Sequence, residues 1–311
     1  MRILVLGAAG FIGSAVARLL LDSLHEVIAI DNLNSDLYPG EVKAARLSGL
    51  LKHPNLTFVN ADLRSIDIGT WVGDCDVVIN EAAMPGLVKS WSEFDIYMSS
   101  NILIVQRLLD TLRSWPEVRL IHASTSSVYG RNAVGGEDAP KRPFSPYGVT
   151  KLCAENLITA YHENFGIRAV VLRYFSVFGP GQRPDMAYSL FCNQLLSGET
   201  LTIYGDGYQT RSNTFIDDVA RATMLACIAD CEGVTMNICS PESISLANAI
   251  NTLACELGVE AKLDFRDSRA GDQVATAGEA SLADSVLGWR PQTSIEAGLR
   301  LQAAAAREAR C

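Results

Sequence analysis

The chain has 311 residues, which at about 150 residues per domain makes one large domain or two modest ones, with ample material for a core. Lys and Arg number 26 against 35 Asp and Glu, a net charge of −9, so no basic stripe is available for nucleic acid; a small anionic ligand needs only a few local arginines. The apolar run Ile3-Leu4-Val5-Leu6 is stopped by Gly7, too soon for a bilayer span or a signal-peptide core, and the expectation is a cytoplasmic protein without a membrane partner. The eight cysteines contain no C-x-x-C pair, Cys227 and Cys231 coming nearest, and read as reduced, buried, small apolar residues. Four scattered histidines offer no metal site.

Apolar runs and helical patterns alternate along the first half, as β-α-β units of a parallel sheet do. The expected strands are Arg2–Leu6, 26–30, Leu56–Asn60, Val77–Asn80, 118–123 and Ala169–Tyr174, separated by helices over 10–21, within 41–51, over 94–114 and over 147–165. The fold class is α/β, a doubly wound parallel sheet of Rossmann type with a smaller mixed α/β C-terminal unit. After Tyr174 the punctuation changes: Gly179-Pro180-Gly181 and Arg183-Pro184 open a more irregular half with helices over 188–197, 217–229, Leu246–Leu257 and 294–307. The division expected is therefore 1–174 and 175–311, with 214–240 packing back onto the first unit.

Gly7-Ala8-Ala9-Gly10-Phe11-Ile12-Gly13 follows the first strand and opens the first helix, where glycines let a pyrophosphate approach backbone N–H groups and a helix N-terminus. Asp31 ends the second strand at about the ~20-residue separation of an acid that bonds ribose hydroxyls. That carboxylate repels a 2′-phosphate, and Asn32-Leu33-Asn34 supplies no arginine to receive one, so the cofactor expected is NAD. Asp62-Leu63, after the third strand, stands where it can meet an adenine edge; a plain loop aspartate is the competing reading.

Tyr147-Gly148-Val149-Thr150-Lys151 puts a phenol and an ammonium one helical turn apart, after an N-cap Ser145 and a proline at the first helical position and downstream of Ser124-Thr125-Ser126-Ser127. As a general base near neutrality the phenol must drop about 3 units from ~10, worth about 4 kcal/mol at ~1.36 per unit. At ~4 Å a neighbouring ammonium gives ~1 kcal/mol in water and ~4 kcal/mol at an effective dielectric of ~20, so the pair works only in a water-poor pocket. A Tyr/Lys pair on a solvated helix face is the plain alternative.

Together the glycine motif, Asp31, Asp62, the Ser124–Ser127 string and Tyr147/Lys151 resemble the extended short-chain dehydrogenase/reductase family of NAD-dependent sugar-nucleotide epimerases and dehydratases. The likeness continues through Asn80-Glu81-Ala82-Ala83, Asn101, Arg173-Tyr174-Phe175-Ser176-Val177-Phe178-Gly179-Pro180, Tyr204-Gly205-Asp206-Gly207, Asp217-Asp218-Val219, Asn237-Ile238-Cys239-Ser240 and Leu287-Gly288-Trp289. Ala123–Gly130, Ser145–Leu152 and Gln182–Ala187 look most like the bacterial UDP-glucuronate 4-epimerase branch. The resemblance implies a catalytic set of Thr125, Tyr147 and Lys151. It implies cofactor contacts from Gly7, Gly10, Phe11, Ile12, Gly13, Asp31, Asn32, Asp62, Leu63, Ala82, Ala83, Asn101, Tyr147, Lys151 and Tyr174. For the UDP-sugar it implies Pro85, Thr125, Ser126, Ser127, Tyr147, Ser176, Arg183, Thr202, Tyr204, Arg211, Arg269 and Asp272, with the arginines on the diphosphate, Thr202 and Tyr204 along the uracil and Asp272 at the ribose. A homodimer through the helices over 94–114 and 147–165 is implied as well.

In this family the two residues after Thr125 face the C5–C6 end of the sugar. Dehydrating relatives carry Asp-Glu there, the acid and base of the elimination, and decarboxylating relatives carry glutamate at the position of Ser127. Ser126 and Ser127 can instead donate hydrogen bonds to a C6 carboxylate; a local Ser/Thr turn is the competing reading. The implied reaction is inversion at C4 of UDP-glucuronate through a 4-keto sugar. UDP-glucose or UDP-N-acetylglucosamine epimerisation is the alternative, followed by decarboxylation, dehydration or a non-catalytic NAD sensor. Departures from the pattern are Ser176 for Asn or Thr, Asn80-Glu81 for His-Leu, Arg211-Ser212-Asn213-Thr214 for Arg-Asp-Phe-Thr, and Val88 and Leu190 where arginines often stand.

Overall fold

The structure is a computed structural model and describes residues 1–267 and 275–310. Its centre is a seven-stranded sheet built from β1 (Arg2–Leu6), β2 (Glu26–Asp31), β3 (Leu56–Asn60), β4 (Val77–Asn80), β5 (Arg119–Thr125), β6 (Ala169–Tyr174) and β7 (Thr235–Ile238). The spatial order is β3-β2-β1-β4-β5-β6-β7, and every neighbouring pair is parallel. This is the Rossmann-type arrangement. The continuous apolar runs follow from covering both faces: Ile3 and Val5 enter one core while Leu4 and Leu6 enter the other, and Val27 and Ala29 part from Ile28 and Ile30 in the same way.

The order reverses between β1 and β4, so the connections from their C-terminal ends diverge and leave a crevice there. The helices that border it are α1 (Phe11–Asp22), α2 (Ile104–Leu112) and α3 (Pro146–Phe165). Ser145 caps α3, its hydroxyl accepting from Gly148 N at 3.1 Å, Pro146 occupies the first turn, and Gly166 ends the helix in the left-handed region at φ 69°. One expected element is divided. Instead of one helix over 94–114, α-helix Phe94–Met98 passes through a π-helical segment, Ser99–Leu103, into α2. Asn101 lies in that wider turn, where its amide holds Met84 and Thr150; local helical periodicity carries no mark of such a long-range bond.

The second half contributes α4 (Ala187–Ser197), α5 (Ile216–Ala226), α6 (Leu246–Leu257) and α7 (Ile295–Glu308). Exchange between the halves runs both ways. β7 comes from the second half and pairs with β6, while Asn132–Gly135 from the first half pairs with Ala275–Gly278 in a four-stranded sheet with Thr210–Ser212 and Ser243–Ser245. A single apolar cluster continues from β1 and α1 through α4 and α5 to α7. The short strands of the second half, including the parallel pair Thr200–Tyr204 and Lys262–Arg266, are absent from the sequence expectation, although Thr200–Tyr204 alternates with a period of two.

Candidate active site

The crevice is a cavity of about 510 Å3 at the C-terminal ends of the central strands. Its first wall is the β1–α1 turn. Gly7 has φ 78°, a Cβ there would lie 2.7 Å from Ala82 N, and a Cβ on Gly13 would lie 2.2 Å from Gly7 O. Both positions exclude a side chain, so the turn closes tightly and leaves the start of α1 open to an anion. Asp31 is buried; its oxygens accept from Ala9 N (3.0 Å) and Leu33 N (2.8 Å), and a carboxylate with about four lone-pair sites keeps two for ribose hydroxyls. Leu33 has φ 52°, an uncommon conformation for leucine that turns the chain sharply beside this carboxylate. These features fit a dinucleotide with an unphosphorylated ribose.

Asp62 is more heavily engaged than its place in the sequence indicates. Arg64 donates to it through Nε (2.9 Å) and Nη2 (2.6 Å), Asn32 Nδ2 lies at 3.1 Å, and the guanidinium holds the carboxyl down to about 2. Lys43, Asn34 and Tyr38 line the same end of the cavity, with Lys43 Nζ donating to Asn34 at 2.9 Å. They come from a loop and helix beyond β2, and nothing in their spacing announces the site.

At the other end, β5 and α3 face each other. Alternation along the strand puts His122 and Ser124 on one face, and the four-residue repeat puts Tyr147, Lys151 and Glu155 on one face of the helix. Lys151 is buried and donates to Ala123 O at 2.6 Å, with His122 Nε2 at 3.3 Å; Asn80 Nδ2 lies 3.2 Å from His122 Nδ1. Burial keeps His122 well below its ordinary value, with the Lys151 charge acting the same way. It is a neutral ring with Nε2 toward the ammonium and Nδ1 toward the Asn80 amide. Ser124 Oγ donates to Glu155 Oε1 at 2.5 Å, and Glu155 is bound by Arg173 through Nε (3.0 Å) and Nη2 (2.7 Å). His122, Glu155 and Arg173 had no assigned role in the sequence; the two interlocking periods were the available signal.

The catalytic set implied by the resemblance, Thr125, Tyr147 and Lys151, lies together on the cavity wall with Ser126 and Ser127. Thr125 Oγ1 is 3.3 Å from Ser127 Oγ and accepts from Ser127 N at 3.2 Å. Burial pushes the Tyr147 phenol up, a hydrogen bond from Thr125 and the charge of Arg183 draw it down, and Glu81 raises it. Lys151 lines the cavity beside Tyr147, and its ammonium is directed at Ala123 O and His122 of β5. Burial lowers Lys151 to about 8 against the raising charges of Glu81 and Glu155.

Gly7, Gly10, Phe11, Ile12, Gly13, Asp31, Asn32, Asp62, Leu63, Ala82, Ala83, Pro85, Tyr174, Ser176, Arg183 and Arg211 also line the cavity. Asn101 sits one layer behind: its Oδ1 accepts from Met84 N at 2.7 Å and its Nδ2 donates to Thr150 Oγ1 at 3.0 Å, tying the 84–86 loop to the helix that carries Tyr147. Thr202 and Tyr204 are on a strand outside the lining. Arg269 and Asp272 lie outside the described residues. Arg183 is paired with Asp185 at 2.8 Å. Val88 and Leu190, 59% and 42% exposed, are also outside the lining.

A Rossmann-type sheet with a tight glycine turn opening its first helix, a buried acid ending its second strand and a Tyr/Lys helix on one crevice is the arrangement of a nucleotide-cofactor enzyme. The model of the NAD dependent epimerase/dehydratase family matches residues 3–239, and the chain belongs to that family. A Bacillus subtilis (strain 168) protein named as an uncharacterized UDP-glucose epimerase, YtcB, is 39% identical over 303 residues, covering 96% of each chain. A UDP-glucuronate 4-epimerase of Thermodesulfobacterium geofontis is 35% identical over 96% of this chain and 93% of its own. Among solved structures, the UDP-glucuronic acid 4-epimerase of Bacillus cereus in complex with UDP-glucuronic acid and NAD superposes with a TM-score of 0.95 at 38% identity, over 99% of this chain and 100% of that one.

Proposed function

We propose that this protein is an isomerase that inverts C4 of a UDP-sugar with NAD as its cofactor, and that the sugar is UDP-glucuronate, giving UDP-galacturonate. NAD, when bound, accepts hydride from C4 of the sugar and returns it. Tyr147 takes the proton of the 4-hydroxyl and later gives it back, Thr125 hydrogen-bonds the reacting oxygen, and Lys151 supplies the buried positive charge that favours the phenolate. The 4-keto sugar turns over while its diphosphate stays fixed; Arg183 and Arg211 on the cavity wall suit that hold, because a guanidinium engages several oxygens at once.

The observation that carries glucuronate is the turn Thr125-Ser126-Ser127. Ser126 and Ser127 are buried against the cavity and bring hydroxyls rather than the carboxylates an elimination needs. In the 4-keto sugar acid the ketone lies β to the C6 carboxylate, an arrangement that loses carbon dioxide readily, so the same hydroxyls serve to restrain the carboxylate. Incubation with UDP-glucuronate, UDP-glucose and UDP-N-acetylglucosamine, with products resolved by NMR, tests the choice: only the first is epimerised efficiently. If Ser126→Ala/Ser127→Ala leaves turnover, affinity and product unchanged, the carboxylate role is wrong; the expected result is about tenfold weaker binding or release of a pentose product. Epimerisation of UDP-glucose is the second reading, favoured by the name of the B. subtilis relative.

The chain is read as two cooperating units, 1–174 and 175–311, with 214–240 returning to the first. Trp91, Phe94, Met98, Leu103 and Val149 are exposed apolar side chains on or beside the two helices expected to pair, which supports a homodimer; light scattering at the mass of two chains checks it. A cytoplasmic location accords with the reduced cysteines and with helices too short or too polar to cross a membrane among the described residues.

A further inference from the structure

The chain continues from β4 into Glu81, a lining residue of the cavity that the reaction above does not use. Its Oε1 accepts from the Tyr174 hydroxyl at 2.8 Å. That hydroxyl lies 2.8 Å from Thr223 Oγ1, and Thr223 Oγ1 lies 2.8 Å from the Val219 carbonyl. Each hydroxyl holds one proton and two lone pairs, so the row is satisfied for either state of the acid. With Glu81 ionised, Tyr174 donates to it. With Glu81 protonated, the acid donates to Tyr174, Tyr174 to Thr223 and Thr223 to Val219 O. Glu155 is built differently, since Arg173 and Ser124 donate to it and only the carboxylate suits them.

The groups facing Glu81 are Tyr174 from β6, and Lys151 and Tyr147 from α3; Cys227, just past α5, acts on Tyr174. Lys151 in turn meets neutral His122 from β5 and Glu155 from its own helix. We propose that Glu81 is a third ionising member of the Tyr147/Lys151 assembly, a positioning residue whose proton sets the charge on Lys151 and thereby the pH range in which Tyr147 accepts the substrate's proton. The proposal rests on the reading of Tyr147 as the base. Burial pushes Glu81 up to about 7 and Lys151 down to about 8, so both change charge close to neutrality, and in a water-poor pocket each strongly affects the other. Epimerisation returns the proton it takes. No second acid or base toward the sugar is required, which leaves Glu81 an electrostatic task.

Glu81→Gln in the holoenzyme keeps the shape and still accepts from Tyr174, but is always neutral. Without the carboxylate Lys151 loses its proton sooner, so the basic limb of kcat against pH moves toward neutrality by about one unit, with KM for the UDP-sugar changed less than about twofold. Glu81→Asp brings the limb part of the way back. NMR of protein carrying 13C at glutamate carboxyls shows one signal that titrates near neutrality, absent in Glu81→Gln and moved to higher pH in Lys151→Met. Unmoved limbs in Glu81→Gln, a uniform loss at every pH, or no neutral-range glutamate titration overturns the proposal. The NMR arms need no turnover, and loss of the signal in Glu81→Asp identifies it if Glu81→Gln does not fold. An inactive wild-type enzyme whose Glu81 titrates this way, and responds to Lys151→Met, refutes the assigned reaction and leaves the coupling standing.

Discussion

Tyr147 shows how little one residue carries without its surroundings. Burial by itself raises the phenol, and a hydrogen bond from Thr125 and the charge of Arg183 lower it. In the proposed reaction the Lys151 ammonium, held by Ala123 O and beside His122, and a cationic ring in the cofactor site add to that lowering. Removing the hydroxyl removes the proposed proton acceptor, so Tyr147→Phe should lower kcat by at least about 10^3-fold while NAD still binds, read by stopped assay and by cofactor absorbance on the purified protein. A variant with undiminished biological activity would instead favour the sensor reading.

At the scale of elements, the site depends on the contact of β5 with α3. Arg173 from β6 and Glu155 from α3, 5% and 6% exposed at their side chains, form an ion pair at 2.7 Å that also holds Ser124 and, through Arg173 Nη1 at 2.8 Å, the Tyr129 hydroxyl. Tyr129 reaches Asn237 of β7 at 2.7 Å, so one network locks the turn of Thr125 to the sheet edge supplied by the second half. Glu155→Ala strands a buried guanidinium, and breaking such a pair costs about 3–5 kcal/mol; urea denaturation should show a lower midpoint with an unchanged slope. Other motifs of the resemblance turn out to be structural. Asp218 accepts from Gln292 N (2.8 Å), Thr293 N (3.0 Å) and Arg221 (2.7 Å), and its carbonyl receives the indole N–H of the buried Trp289 at 2.9 Å, fastening the C-terminal segment to α5.

For the whole molecule, the pair Glu81 and Lys151 gives a pH dependence of stability. A carboxyl raised from 4.5 to about 7 favours the folded state most below 4.5, and that contribution is lost as pH rises through 7. An amine lowered from 10.5 to about 8 binds fewer protons folded than unfolded between those values, so its contribution improves as pH rises from 8 to 10.5. The two together are least favourable between about 7 and 8, where both are charged. The melting temperature of the wild type minus that of Glu81→Gln/Lys151→Met, measured without substrate from pH 5 to 10, should pass through a minimum there; a flat difference would mean that the two groups do not ionise as described.

The sequence by itself determined the sheet-forming runs, the glycine turn, Asp31, the capped helix of Tyr147 and Lys151, and the hydroxyl string, because each is a local pattern: a period, a cap, or a turn that excludes a side chain. The division of the long helix at Asn101, the place of Thr235–Ile238 in the central sheet, and the meeting of Glu81, Tyr174, His122 and Lys151 were decided only by the tertiary structure. Those are contacts between residues tens of positions apart. Their energies come from burial and from hydrogen bonds that exist only once the strands are ordered, and a linear pattern carries no record of which strand ends will share one cavity.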